Sequence, residues 1–284
     1  MQSKIASSKF FQCLVSALAF LWIVGLSVPR LFADEPVGVN ESKVASKFKV
    51  GTCDWSIKMP LSVDAFYFAQ RNGLHGIQYS FDAKGNGLDL RTRANRDTIR
   101  KTVKETGVAI SSLGIGLLNK IPFATTDEGE RLVAECIETM AILKQEAAEL
   151  ADRDLAAKVS PSIVLLAFFN KADINGKPEL IDSVITKLKR VAPVAEKHGL
   201  TLALEIQLNE ADLRHILTSV GSPAVKVYYD TGNSARMGYD IYQEIENLGT
   251  ENICEIHIKE NGDFLGKGEV DFERIKFLLE SIQY

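Results

Sequence analysis

From Phe48 onward the chain alternates short runs of apolar, β-prone residues with longer amphipathic stretches. Apolar runs bounded by turn residues fit strands buried on both faces, and apolar residues recurring three and four apart fit helices with one buried face. The pattern predicts strands at 48–53, 76–81, 108–118, 162–169, 200–206, 225–229 and 253–258. Helices are predicted at 63–71, 92–106, 126–150, 178–198, 210–220, 241–248 and 271–281. Gly107 and Gly199 stand where two of these helices should stop, because glycine accepts the left-handed conformation that closes a helix. The stretch 145–160 is longer than the join between the third helix and the fourth strand requires, and is expected to be a helical extension on the surface.

Regular β-then-α order implies parallel strands joined by crossover helices. Two architectures satisfy it, a closed barrel and an open doubly wound sheet. No GxGxxG or Walker loop follows an early strand, which weakens the nucleotide-binding open sheet. The expectation is an α/β fold of the TIM (β/α)8 type. Seven strand–helix units are present and no strand follows the last helix, so the eighth strand of a closed barrel is expected to lie beyond Tyr284.

The first 33 residues break this pattern. Lys4 and Lys9 precede an apolar run from Phe10 to Val28, and Ala33 offers a small residue before Asp34-Glu35-Pro36. This is the arrangement of a secretory signal cleaved near Ala33; a run of about 19 residues also admits an uncleaved membrane anchor. Residues 34–47 read as a polar linker and 48–284 as one domain. The expected location is therefore the periplasm or the cell exterior, with membrane contact only through an uncleaved N-terminus.

Composition adds exclusions. The 284 residues are 46% hydrophobic and 25% charged, an ordinary globular balance. The net charge is -4 with no basic stripe, which argues against a nucleic-acid partner. Cys53, Cys136 and Cys254 are odd in number and lack CxxC spacing, which argues against a disulfide framework or a structural zinc site. They are expected to be small buried residues.

Three consecutive strand ends carry polar residues: Leu204-Glu205-Ile206, Tyr229-Asp230-Thr231 and Ile256-His257-Ile258. In a parallel barrel the C-terminal strand ends share one face, where active sites form. Glu205, Asp230 and His257 on adjacent strands are therefore expected to hold one divalent metal. Oxygen and imidazole donors without thiolate suit Mn, Co, Mg or Zn.

The segments Ala203-Leu204-Glu205, Tyr229-Asp230-Thr231-Gly232-Asn233, His257-Ile258-Lys259-Glu260 and Gly266-Lys267-Gly268-Glu269-Val270-Asp271-Phe272 resemble the sugar phosphate isomerase/epimerase family. That family lies in the xylose-isomerase-like barrel superfamily, together with ketose 3-epimerases and endonuclease IV. The resemblance implies a metal held by two Glu, one Asp and one His. Carried over, Glu205, Asp230 and His257 are ligands and Glu205 also shuttles a proton as the catalytic residue. The second Glu would stand on an eighth strand and is not in this sequence. Asn233 falls where relatives touch substrate, and Lys259-Glu260 matches a Lys-Asp pair of the family. Gln78 stands where the second strand of relatives often carries Glu.

The activity so implied is isomerisation or epimerisation of a ketose, keto-acid or sugar phosphate, by removal of an α-proton to give an enediolate. The substrate is a small-molecule sugar, and export favours an unphosphorylated one; a homo-oligomer is compatible with the sequence. The alternatives are an exported sugar-binding barrel without catalysis and an endonuclease IV-like phosphodiesterase. Trp55, after the first strand, is read as an apolar wall for a sugar face or as packing. His75 is read as a turn residue. The Gly266-Lys267-Gly268 loop has two readings, a phosphate cradle or a plain loop before a helix whose N-cap is Asp271.

Overall fold

The structure is a computed structural model that describes residues 48–284; the expected signal segment and linker lie outside the described residues. Seven parallel strands run in sequence order across one sheet. They are β1 (Gly51–Cys53), β2 (Gly76–Ser80), β3 (Ala109–Ile115), β4 (Ile163–Phe168), β5 (Thr201–Ile206), β6 (Val225–Asp230) and β7 (Ile253–His257). Between and after them come α1 (Asp64–Arg71), α2 (Arg93–Thr106), α3 (Asp127–Ala148), α4 (Arg153–Val159) and α5 (Pro178–Lys197). α6 (Glu210–Val220), α7 (Thr231–Arg236), α8 (Ile241–Asn252) and α9 (Phe272–Ser281) complete the set. None of these helices is long and apolar enough to cross a membrane.

Strand alternation sorts side chains into two cores. Along β4, Val164, Leu166 and Phe168 join a large cluster between sheet and helices, while Leu165 and Ala167 join a small one with Ala203 and Tyr228 on the opposite face. That opposite face is the inside of a curl. β1 and β7 are not paired, yet Cys53 Sγ lies 3.3 Å from His257 Nε2. The fold is the expected α/β barrel type, with seven strands curled toward closure.

Two register shifts decide what points inward. Ile77 pairs with Ile110 but Gln78 with Ser112, making Ser111 an extra residue in β3. Val227 pairs with Ile253 but Tyr228 with Glu255, making Cys254 an extra residue in β7. A shift of one residue exchanges the faces of a strand. These bulges bring Ser112 beside Gln78, and Glu255 beside Tyr228.

Local signals end the helices as expected. Gly107 closes α2 with φ 73°, and Asp271 caps α9 by accepting the Arg274 N–H at 3.0 Å. The 145–160 stretch differs from expectation. It forms α4, whose Leu155, Ala156 and Val159 are buried in the main core; it is a packed element rather than a surface extension. α7 was not expected either. Asp230 ends β6 and at once accepts the Asn233 N–H at 2.8 Å, so a polar strand end doubles as a helix cap.

Candidate metal centre

Glu205 and Asp230 are buried, and His257 is largely so. Parallel register sets Asp230 directly beside His257 on the neighbouring strand, and Glu205 reaches the same point from β5. His257 Nδ1 lies 3.0 Å from Glu205 Oε1 and 3.8 Å from Asp230 Oδ2. One donor atom from each of the three falls within 4.8 Å of the others. The three expected ligands therefore converge.

Electrostatics explain what such a cluster requires. Burial pushes the Glu205 carboxyl above the usual carboxylate range, and Asp230 adds to this against the opposing pull of His257. Burial disfavours charge on His257 as well, but hydrogen bonds to Cys53 and Glu205, with the charge of Glu205, outweigh it and raise the imidazole to about 10. Two desolvated carboxylates thus draw positive charge, which among the described residues comes from the imidazole and the half-exposed Lys259, 3.5 Å from Asp230 Oδ2. Two carboxylates and one imidazole fit a divalent cation with positions left for other oxygens.

The far edge of the imidazole was not foreseen. Its Nε2 lies 2.9 Å from Gln78 Oε1 and 3.3 Å from Cys53 Sγ. Gln78 in turn donates to Ser112 Oγ at 2.9 Å. The Tyr228 ring lies 4.4 Å from that of His257, centroid to centroid. Cys136 is fully buried as expected, but Cys53 is only part-buried and belongs to this centre.

The residues expected to touch substrate take different places. Lys259 Nζ donates to Asn233 Oδ1 at 3.2 Å, so both border the Asp230 side. Trp55 is 38% exposed, and its ring lies against Gly114 and near Gln78. That puts the edge of the indole near Gln78, a neighbour of the centre. Glu260 is buried elsewhere: its carboxylate accepts the N–H groups of Gly266, Gly268 and Val270 at 3.1, 3.3 and 3.3 Å. The backbone cradle in the Gly266-Lys267-Gly268 loop is real, and the anion it holds is Glu260. His75 accepts the Val50 N–H at 3.1 Å, the turn role expected of it. Among the described residues His257 is the one histidine in the ligand cluster, which does not suit the many-histidine set of an endonuclease IV-like site.

Comparison with known proteins gives the same picture. The chain is 26% identical over 212 residues to 2-epi-5-epi-valiolone 7-phosphate 2-epimerase of an Actinoplanes species, spanning 75% of this chain and 72% of that protein. It is 24% identical over 253 residues to L-ribulose-5-phosphate 3-epimerase of Escherichia coli, spanning 84% and 80%. The crystal structure of D-psicose 3-epimerase in the presence of D-fructose shares the fold, with a TM-score of 0.65 and 18% identity over 84% of this chain and 82% of that one. Residues 66–284 match the family described as the xylose isomerase-like TIM barrel. The chain belongs to that xylose isomerase-like TIM barrel family, and its relatives are epimerases of sugars and sugar phosphates.

Proposed function

We propose that the protein is a divalent-metal-dependent epimerase or isomerase of a ketose or ketose phosphate, working by α-proton transfer. The observation that carries this reading is the convergence of Glu205, Asp230 and His257 from three adjacent strand ends. A divalent cation held by these three would supply Lewis acidity, stabilising negative charge that develops on a substrate oxygen.

The chain's own residues account for the rest. Removing a proton α to a carbonyl needs a base within hydrogen-bond reach whose pKa lies toward the working pH. Glu205, buried where the three ligands converge, is the carboxylate placed for that role. Trp55 provides an apolar wall for a sugar face at the mouth of the curl and keeps water from it. Lys259 and Asn233, tied together beside Asp230, offer ammonium and amide donors to substrate hydroxyls.

The reading extends to location. A cleaved signal ending near Ala33 would export the protein and favour an unphosphorylated ketose. N-terminal sequencing of protein recovered from its native cells checks this: a start at Asp34 supports export, and a start at Met1 in soluble cytoplasm opposes it.

The activity is tested by incubating the protein and Mn²⁺ in D₂O with D-psicose, L-ribulose and their phosphates, following the C3 and C1 hydrogens by NMR. Deuterium incorporation that disappears in Glu205→Gln supports α-proton transfer. Incorporation unchanged by that substitution removes Glu205 as the base.

A further inference from the structure

A metal ion takes a lone pair from imidazole, so one ring nitrogen must be bare and any remaining proton must sit on the other. The ligand cluster lies on the Nδ1 side of His257. Nothing in Glu205 or Asp230 forces the ring proton to Nε2, because both carboxylates would equally accept a proton held on Nδ1. Something on the far edge has to decide.

We propose that Gln78 is a positioning residue that fixes the metal-binding form of His257. This rests on the metal reading above. Gln78 Oε1 is an acceptor only, 2.9 Å from His257 Nε2, and so it requires a proton on that nitrogen. The amide is itself oriented. Its Nε2 donates to Ser112 Oγ at 2.9 Å, and Ser112 lies close to the Glu255 carboxyl and the Tyr228 hydroxyl. Cys53 Sγ donates to Gln78 Oε1 at 3.2 Å, which again asks for oxygen, not nitrogen, at that corner. Gln78 is 3% exposed and Ser112 fully buried, so water does not offer these groups substitutes.

The chain of donors runs one way, from His257 through Gln78 to Ser112 on β3. It leaves Nδ1 facing Glu205 and Asp230 as the nitrogen whose proton would be released to solvent and whose lone pair would bind a cation. The Tyr228 ring against the imidazole holds the plane while Gln78 holds the proton. The bulge at Ser111 is what puts Ser112 within reach of Gln78, so the device is built into the strand register.

The test uses Gln78→Leu, which removes the acceptor, and Gln78→Glu, which keeps an acceptor oxygen, each checked for folding by thermal melting. Mn²⁺ affinity by calorimetry should fall ~10- to 100-fold in Gln78→Leu, the range for losing such a partner, and recover most of that in Gln78→Glu. A second readout needs no metal. In metal-free protein labelled with ¹⁵N-histidine, where both ring nitrogens carry protons, the Nε2 proton of His257, held by Gln78 Oε1, should be protected from exchange, lose protection in Gln78→Leu and keep it in Gln78→Glu. Equal Mn²⁺ affinity in wild type and Gln78→Leu overturns the proposal, as does an Nε2 proton that exchanges equally fast in both. If wild type shows the protected Nε2 proton but binds no Mn²⁺, the metal reading fails while Gln78's hold on the ring stands.

Discussion

The ring of Trp55 occupies the space that a side chain on Gly114 would need: a Cβ built there would lie 2.6 Å from Trp55 Cη2. Gly114 on β3 is thus the seat of the residue that walls the candidate site.

Gly114→Ala should therefore displace the indole. Because Trp55 is 38% exposed it has room to swing outward, so stability should change by less than about 1 kcal/mol, below the usual cost of overpacking a closed core. Trp55 is the single tryptophan after residue 33, so its emission should shift to the red in the protein lacking that segment. The KM for any active ketose should rise several-fold with kcat less affected. An unchanged emission maximum would show that the ring does not rest on Gly114.

Glu260 supports a loop. Glu260→Ala removes the acceptor for the N–H groups of Gly266, Gly268 and Val270, and leaving such donors unpaired costs about 1–3 kcal/mol. The variant should melt lower and be cut faster by protease within residues 261–270. Mn²⁺ affinity should stay within about three-fold of wild type, a shift of well under 1 kcal/mol. A large loss of metal affinity at unchanged loop resistance would instead give Glu260 a role in the centre.

Acid stability should depend on Glu146. This carboxylate on α3 accepts from Arg96 at 3.1 and 2.9 Å and from Arg100 at 2.6 Å. The Arg96 hydrogen bond, opposed by burial and helped by the charges of Arg96, Arg100 and Arg93, holds it below the usual carboxylate range. A depressed folded pKa means the unfolded chain binds the proton more readily. The contribution is complete above the ordinary glutamate pKa and is lost as pH falls through the folded value. Glu146→Gln should cost about 2 kcal/mol at pH 7, as for a hydrogen bond to a charged group. The gap between variant and wild type in urea titrations should close below about pH 4. A gap independent of pH would mean that packing, not charge, is what Glu146 contributes.

The sequence made the strand–helix order and the three ligands legible because both rest on local pattern. Apolar runs mark the strands, and a lone carboxylate or imidazole at the end of such a run stands out, as Glu205, Asp230 and His257 do. Ser112 and Glu255 were not legible as partners, because their inward direction depends on the bulges at Ser111 and Cys254; Cys53 and Gln78 meet His257 only through the curl of the sheet. Strict alternation through Ile253-Cys254-Glu255 would set Cys254 and Glu255 on opposite faces; in the structure Cys254 packs on the inner cluster and Glu255 also pairs inward with Tyr228. α4 was misplaced for a similar reason. Its Leu155, Ala156 and Val159 show too short a pattern to reveal a buried face, and only packing against the main core shows it. Glu260 read as a site residue because Lys259-Glu260 matches a Lys-Asp pair of the family it resembles, yet its side chain turns toward the loop after it.

The central claim is that Glu205, Asp230 and His257 hold one divalent cation, and calorimetric titration of the protein with Mn²⁺, beside Glu205→Ala, tests it most directly. The expected result is one site per chain in wild type and no measurable site in the variant. Absence of binding by wild type, or binding that survives Glu205→Ala undiminished, would contradict it.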